Sequence, residues 1–290
     1  MEHFTFKVRS RDGLQLFVQG WEPDGTVCAV ICLIHGLGEH SGRYAHLAQF
    51  LMPSGYAVLS FDLRGHGNSE GIRGHFPSID VVLQDIDALI LTARGRYPDI
   101  PVFLYGHSLG GILVLNYVLR YKPELAGVVA SSPGLRTALE NQKGKIALAR
   151  LLGIFAPSLT LPTGLDTRSL SREAKVVVDY EQDPLVHDRA SLSFANTMLK
   201  AIQWTFQHAR EFHLPLLMMH GTADRLAFYQ GSREFAGNVQ ADLTLKLWEG
   251  LYHEVHNEPE KGDVLAFLLQ WLESHRLAKE SAPTKKNIRM

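Results

Sequence analysis

The stretch Val102-Phe103-Leu104-Tyr105-Gly106-His107-Ser108-Leu109-Gly110-Gly111 decides the fold. Its first residues read as a buried strand, Gly106 to Gly110 as a Gly-x-Ser-x-Gly turn, and the apolar run Ile112 to Leu119 as a helix packed under a sheet. Small residues at Gly106 and Gly110 let a strained serine sit between strand and helix without side-chain collisions. Ser108 is therefore the candidate nucleophile, presented at the top of a sheet.

A serine hydroxyl is a weak nucleophile until a base takes its proton, and the base needs a third group to orient it. On such a sheet the acid and then the histidine follow the serine, each on a loop after a strand. Leu214 to Met219 leads into His220-Gly221-Thr222-Ala223-Asp224, and Leu243 to Trp248 leads into Glu249-Gly250-Leu251-Tyr252-His253. Asp224 and His253 are the expected partners. Asp242, before its strand, and His256, three residues beyond the site, are the nearest competitors. Backbone N–H groups of Leu109, after the serine, and Leu37, in the loop after Val27 to Ile34, are the expected oxyanion donors. That loop also carries Gly36-x-Gly38, but the third glycine of a dinucleotide fingerprint is replaced by Ser41. His253-Glu254-Val255-His256 likewise lacks the spacing of a helical zinc motif, so neither a cofactor nor a metal is expected.

Working outward, Phe4 to Val8 and Leu14 to Trp21 alternate around Asp12-Gly13, which predicts a hairpin. Strands at Val27 to Ile34, Tyr56 to Phe61, Val102 to Tyr105, Gly127 to Ala130, Leu214 to Met219 and Leu243 to Trp248 alternate mostly with helical patterns. The helices are expected at Tyr44 to Met52, Ser78 to Arg96, Leu109 to Tyr121, Gln230 to Val239 and Glu260 to Leu277. Such alternation means βαβ units and an α/β fold with a mostly parallel eight-stranded sheet flanked by helices.

The rhythm breaks between Leu135 and His213, which reads as an inserted helical cap over the ligand edge of the sheet. The expected organisation is a core from 1–134, the cap at 135–213, a second core part at 214–277 and a disordered tail at 278–290. Within the cap, the apolar run from Ile146 to Pro157 has two readings, a helix packed on the rest of the cap or an exposed lip that meets a membrane surface.

With 290 residues, 46% of them hydrophobic and 20% charged, the chain can bury a large core without staples. A net charge of -1 argues against nucleic acid as a partner. Cys28 and Cys32 lie in one predicted strand with α-carbons about 13 Å apart, too far for a bond between them. A cytoplasmic protein, with peripheral membrane association left open, is the expectation.

The residues also resemble those of the monoacylglycerol lipases of the α/β-hydrolase superfamily. The resemblance runs through His35 to Tyr44, Asp62 to Ser69, Gly106 to Gly111, Asp179 to Leu185, His220 to Leu226 and Leu251 to Glu258. It implies an α/β-hydrolase fold and a serine hydrolase that cleaves monoacylglycerols to fatty acid and glycerol through an acyl-enzyme. It further implies an apolar tunnel for the chain and a glycerol end at Glu39, Arg43, Tyr180 and His256. Glu39 and Arg43 have a second reading, a salt bridge that holds the oxyanion loop. Leu63, where the family often has histidine, and Ala227 depart from the pattern without touching the triad. A lysophospholipase or short-chain carboxylesterase with the same triad is the alternative, and a non-catalytic ligand-binding protein on this fold the more distant one.

Overall fold

The computed structural model describes residues 2–138, 144 and 151–280. Eight strands form one sheet, in the order β1-β2-β4-β3-β5-β6-β9-β10. They are β1 (Glu2–Arg9), β2 (Gln15–Glu22), β3 (Ala29–Ile34), β4 (Tyr56–Phe61), β5 (Val102–His107), β6 (Gly127–Ser131), β9 (Leu216–Gly221) and β10 (Leu243–Trp248). β1 and β2 make the expected hairpin, closed by Gly13 with φ of +94°, and β2 pairs antiparallel with β4. All other pairings in the sheet are parallel.

The central strands are apolar on both faces because helices cover both. Along β3, Val30, Cys32 and Ile34 enter one core cluster while Ala29, Ile31 and Leu33 enter the other. The first cluster packs under α2 (Ile79–Arg96) and α3 (Leu109–Tyr121), the second under α1 (Ala45–Leu51) and the last helix, which runs Lys261–Glu280. α2 starts where Ser78 accepts from Val81 N–H at 3.3 Å. α3 stops where Lys122 adopts a left-handed conformation and donates its N–H to Val118.

Between β6 and β9 the chain leaves the sheet. This excursion, the cap, holds α4 (Ala174–Gln182), α5 (Leu192–Gln207) and a small antiparallel pair, β7 (Thr160–Pro162) with β8 (Arg189–Ser191). Sequence patterning missed the β7-β8 pair, since three-residue strands carry no readable alternation. α5 is pinned to α3 by Asn116, whose buried Nδ2 donates to Thr205 Oγ1 at 2.5 Å and to the Ala201 carbonyl at 3.3 Å. After the cap come α6 (Tyr229–Ala236) and, as the last helix, α7 (Lys261–Glu280). α7 runs three residues into the stretch read as tail, and the rest of that stretch lies outside the described residues.

Of the apolar cap run, residues 146–150 also lie outside the described residues. Residues 151–155 are helical, and their Leu151, Leu152, Ile154 and Phe155 side chains are exposed, Phe155 by 81%. In this part the run faces outward. Further along the cap, Leu159, Leu161 and Leu165 are exposed as well. No described helix is long and apolar enough to cross a membrane.

Candidate active site

Parallel register brings the candidate residues to one edge of the sheet. Ile34 pairs with Gly106, His107 with Ser131 and Trp248 with Gly221, so the loops after β3, β5, β6, β9 and β10 emerge side by side. At the end of β5 the chain turns sharply. Ser108 has φ of 54° and ψ of -111°, a sparsely populated conformation that costs about 1–3 kcal/mol. Its own bonds hold it there, since its N–H donates to the Ser131 carbonyl at 2.9 Å and its carbonyl accepts from Gly134 N–H at 3.2 Å. The flanking glycines are required by crowding. A Cβ on Gly106 would lie 2.3 Å from the Gly110 carbonyl oxygen, and one on Gly110 would lie 2.1 Å from that of Ile34.

The structure brings Ser108, His253 and Asp224 together. His253 Nε2 stands 2.8 Å from Ser108 Oγ, and its Nδ1 stands 2.7 Å from Asp224 Oδ2. Since an ionised carboxylate only accepts, Nδ1 carries the proton, leaving Nε2 to accept from the serine hydroxyl. Asp224 is held from several sides: Oδ1 accepts from Leu226 and Ala227 N–H groups at 2.8 and 3.0 Å, and Oδ2 accepts from His220 Nε2 at 3.0 Å. His220 in turn takes a hydrogen bond on Nδ1 from Ser232 Oγ at 2.7 Å. Sequence reading placed His220 in the acid motif without giving it this task, because its i,i+4 partner is fixed by the turn after β9 rather than by a helix.

Burial alone would raise the Asp224 pKa, but the facing His253 charge and the hydrogen bonds from His220 and His253 hold it well below the carboxylate range. For His253 the balance is the mirror image. Burial lowers its affinity for a proton, and the Asp224 charge and hydrogen bond, with Glu254 and Glu39, overcome this and raise its pKa above the ordinary value. His107, whose ring lies 4.8 Å from that of His253, is pushed down to about 3 by burial and then by the His253 charge. It therefore stays neutral and does not compete as a base. Asp242 lies elsewhere, 3.2 Å from His275 Nε2.

The loop after β3 packs against the serine, for a Cβ on Gly36 would sit 3.3 Å from Ser108 Cβ. Leu37 follows in this loop, and Leu109 is the first residue of α3, where helix geometry offers N–H groups no intrahelical acceptor. Glu39 fixes the loop's shape. Its Oε1 accepts from Gly36 N–H at 2.6 Å and from Tyr44 Oη at 2.7 Å, and its Oε2 accepts from Arg43 Nη1 at 2.6 Å. Arg43 also grips Glu254 with two bonds, 2.7 and 2.8 Å, and lies over the Tyr180 ring at 4.8 Å. Tyr180 comes from α4 and is buried, as is His256, whose ring stacks on Tyr44 at 5.0 Å between centroids. The four residues of the implied glycerol end thus neighbour one another, with Glu39 and Arg43 occupied by an internal ion-pair network that joins the β3 loop to the histidine loop.

The cap closes over this edge through several bonds. His187 N–H donates to the Gly38 carbonyl at 2.8 Å, His40 Nε2 meets Asp183 Oδ2 at 2.8 Å, and Ser191 N–H donates to the Gly74 carbonyl at 2.8 Å.

The chain is similar to several known proteins. An uncharacterized abhydrolase domain-containing protein of Dictyostelium discoideum is 39% identical over 93% of this chain, which spans 29% of that relative's length. A monoacylglycerol lipase of Mycolicibacterium smegmatis is 36% identical over 91% of this chain and 94% of its own. A crystal structure of the monoacylglycerol lipase of Paleococcus ferrophilus, 36% identical, superposes with a TM-score of 0.81 and covers 95% of this chain and 100% of that one. The family Hydrolase_4, serine aminopeptidase, S33, matches residues 25–260. With a match of that extent over an eight-stranded α/β-hydrolase sheet, the chain belongs to this family.

Proposed function

We infer that Ser108 is the nucleophile, His253 the general base and acid, and Asp224 the orienting carboxylate of a serine ester hydrolase whose substrates are monoacylglycerols. The observation that carries the chemistry is the continuous hydrogen-bonded line from Ser108 Oγ through His253 to Asp224, 2.8 and 2.7 Å, set at a strained elbow. The similarity to monoacylglycerol lipases over nearly the whole chain supports the substrate.

Ser108 Oγ attacks the ester carbonyl carbon as its proton passes to His253 Nε2. The charge that develops on the carbonyl oxygen is stabilised by the N–H groups of Leu37 and Leu109. His253 returns the proton to the glycerol oxygen as the ester C–O bond breaks, leaving an acyl-serine. Water then attacks the acyl-serine, giving its proton to His253, which returns it to Ser108 Oγ as the fatty acid leaves. Tyr180 and His256 border the polar end of the substrate. Glu39 and Arg43 act on it indirectly, by fixing the loop that carries Leu37.

The exposed side chains of Leu152, Ile154 and Phe155 on one short helical stretch support a further part of this reading, contact of the cap with the lipid surface that holds the substrate. The test is fatty-acid release from monoacylglycerols of increasing chain length, with matched di- and triacylglycerols and lysophospholipid, and Ser108→Ala as the blank. Preferential release from monoacylglycerols is expected. Cleavage of short soluble esters alone would leave the triad standing and remove the lipid substrate.

A further inference from the structure

Before entering α4, the cap runs alongside the histidine loop. Glu254 N–H donates to the Leu170 carbonyl at 2.8 Å, and Ser171 Oγ donates to the Asn257 carbonyl at 3.0 Å. Arg172 then takes hold of Glu258 twice, through its backbone N–H on Oε1 at 3.0 Å and its Nε on Oε2 at 2.5 Å, while its Nη2 reaches Glu260. Glu258 has no exposed surface, and its Oε1 also accepts the N–H of Tyr252 at 3.2 Å. The stitches therefore end on Tyr252 and Glu254, the two neighbours of His253.

A buried carboxylate needs donors on both oxygens or it takes a proton or draws in water. Here the guanidinium of Arg172 supplies the partner of Oε2, and the remaining donors are the two backbone N–H groups. Without it the turn that carries His253 loses its outer anchor. His253 must keep both ring nitrogens in hydrogen-bond register at once, and displacement of a reacting group by about 1 Å costs on the order of 10²-fold in rate.

We propose that Arg172 is a positioning residue for His253, acting from the cap through the buried carboxylate of Glu258. The proposal rests on the reading of His253 as the base. It makes the segment around Leu170 to Arg172 a fixed part of the catalytic scaffold, in contrast to the outward-facing stretch earlier in the cap.

The experiment compares wild-type protein with Arg172→Ala and Arg172→Lys on a soluble p-nitrophenyl ester, with active sites counted by fluorophosphonate titration and melting temperature measured alongside. For Arg172→Ala, turnover per titrated site should fall about 10- to 100-fold with KM changed less than about threefold. The acid limb of its kcat/KM profile should move to lower pH, as His253 loses part of its support from Asp224. Arg172→Lys should restore most of the turnover. Should Arg172→Ala fail to fold, Glu258→Gln, which keeps an acceptor for the Arg172 N–H and removes the charge, should show the same loss and the same shift. Wild-type turnover per site with an unmoved acid limb, even in a less stable variant, would overturn the proposal. Failure of fluorophosphonate to label Ser108 in the wild-type protein would instead overturn the triad reading beneath it.

Discussion

Replacing Arg43 with methionine keeps a side chain of similar length and removes a guanidinium that two carboxylates share. Glu39 and Glu254 expose only 3% and 2% of their side chains. After the change Glu39 keeps Gly36 N–H and Tyr44 Oη, whereas Glu254 keeps the Asn257 Nδ2 donor at 2.8 Å. Glu254 is therefore the group left most exposed to its own desolvation. Breaking one buried ion pair costs about 3–5 kcal/mol, and the surviving donors cap the total, so we expect a loss of about 4 kcal/mol at pH 7.5. The pH dependence follows from the sign of the shift. In the intact protein burial raises the Glu254 pKa, but Arg43 more than reverses this and holds it well below the carboxylate range. Its ionised form thus stabilises the fold above the unfolded pKa of about 4.3 and loses that stabilisation as pH falls through the folded value. Without Arg43, burial dominates and the folded pKa rises above the unfolded one, so the variant loses stability as pH climbs from about 4.3 to the new folded pKa. The gap between the two proteins should be widest at pH 7.5 and narrow toward pH 5. Urea unfolding followed by tryptophan fluorescence at both pH values measures it. A gap below about 1 kcal/mol, equal at the two pH values, would mean that the network behaves as a solvated surface pair and would refute the reasoning.

Because the His253 pKa is raised, kcat/KM should decline as pH falls through a value above the ordinary histidine pKa of about 6.5; a midpoint at or below that value in a pH–rate profile would contradict the assigned Asp224 contact. Asp224→Asn, which can present a donor to Nδ1 and favour the wrong tautomer, should lower kcat by about 10⁴-fold with the fold intact by circular dichroism, and a loss under tenfold would remove Asp224 from the triad. Gly110→Ala should yield protein that is insoluble or unlabelled by fluorophosphonate, given the 2.1 Å approach to the Ile34 carbonyl oxygen, and normal labelling would show that the elbow tolerates a Cβ. Exchanging Leu152, Ile154 and Phe155 for serine should slow release from monoacylglycerol in vesicles while leaving soluble-ester turnover unchanged; equal loss on both would argue that these side chains belong to the fold.

The core strands were legible because β3 is wholly apolar, β4 apolar but for Ser60 and β5 apolar up to its elbow, and burial on both faces leaves one way to read them. α3 was legible at both ends, from the Gly-x-Ser-x-Gly turn at its start and Tyr121 at its end. The pairing of β7 with β8 was not, since Thr160 to Pro162 meets a partner about thirty residues away through contacts the local pattern does not encode. In the site, Ser108, Asp224 and His253 could be chosen by loop position along the chain. The supporting residues could not, for His220, Arg172 and Glu258 matter only through partners that the tertiary fold supplies. Glu39 and Arg43 lay between these cases: their types admitted both a polar ligand and an ion pair, and only the distances show how fully each is already engaged.

The line of bonds from Leu170, Ser171 and Arg172 to the histidine loop bears on how such proteins diversify. An inserted segment is an obvious unit for recombination, because exchanging it alters what the pocket admits and leaves the nucleophile alone. Here the unit is not self-contained. A foreign insert lacking a cation at the position of Arg172 would leave Glu258 Oε2 without its partner, so a chimaera would need either to keep Leu170 to Arg172 native or to carry a compensating neutral residue at 258. Successful exchanges should therefore cluster in the outward-facing stretch before Leu170, where new chain preferences can be acquired without disturbing the base.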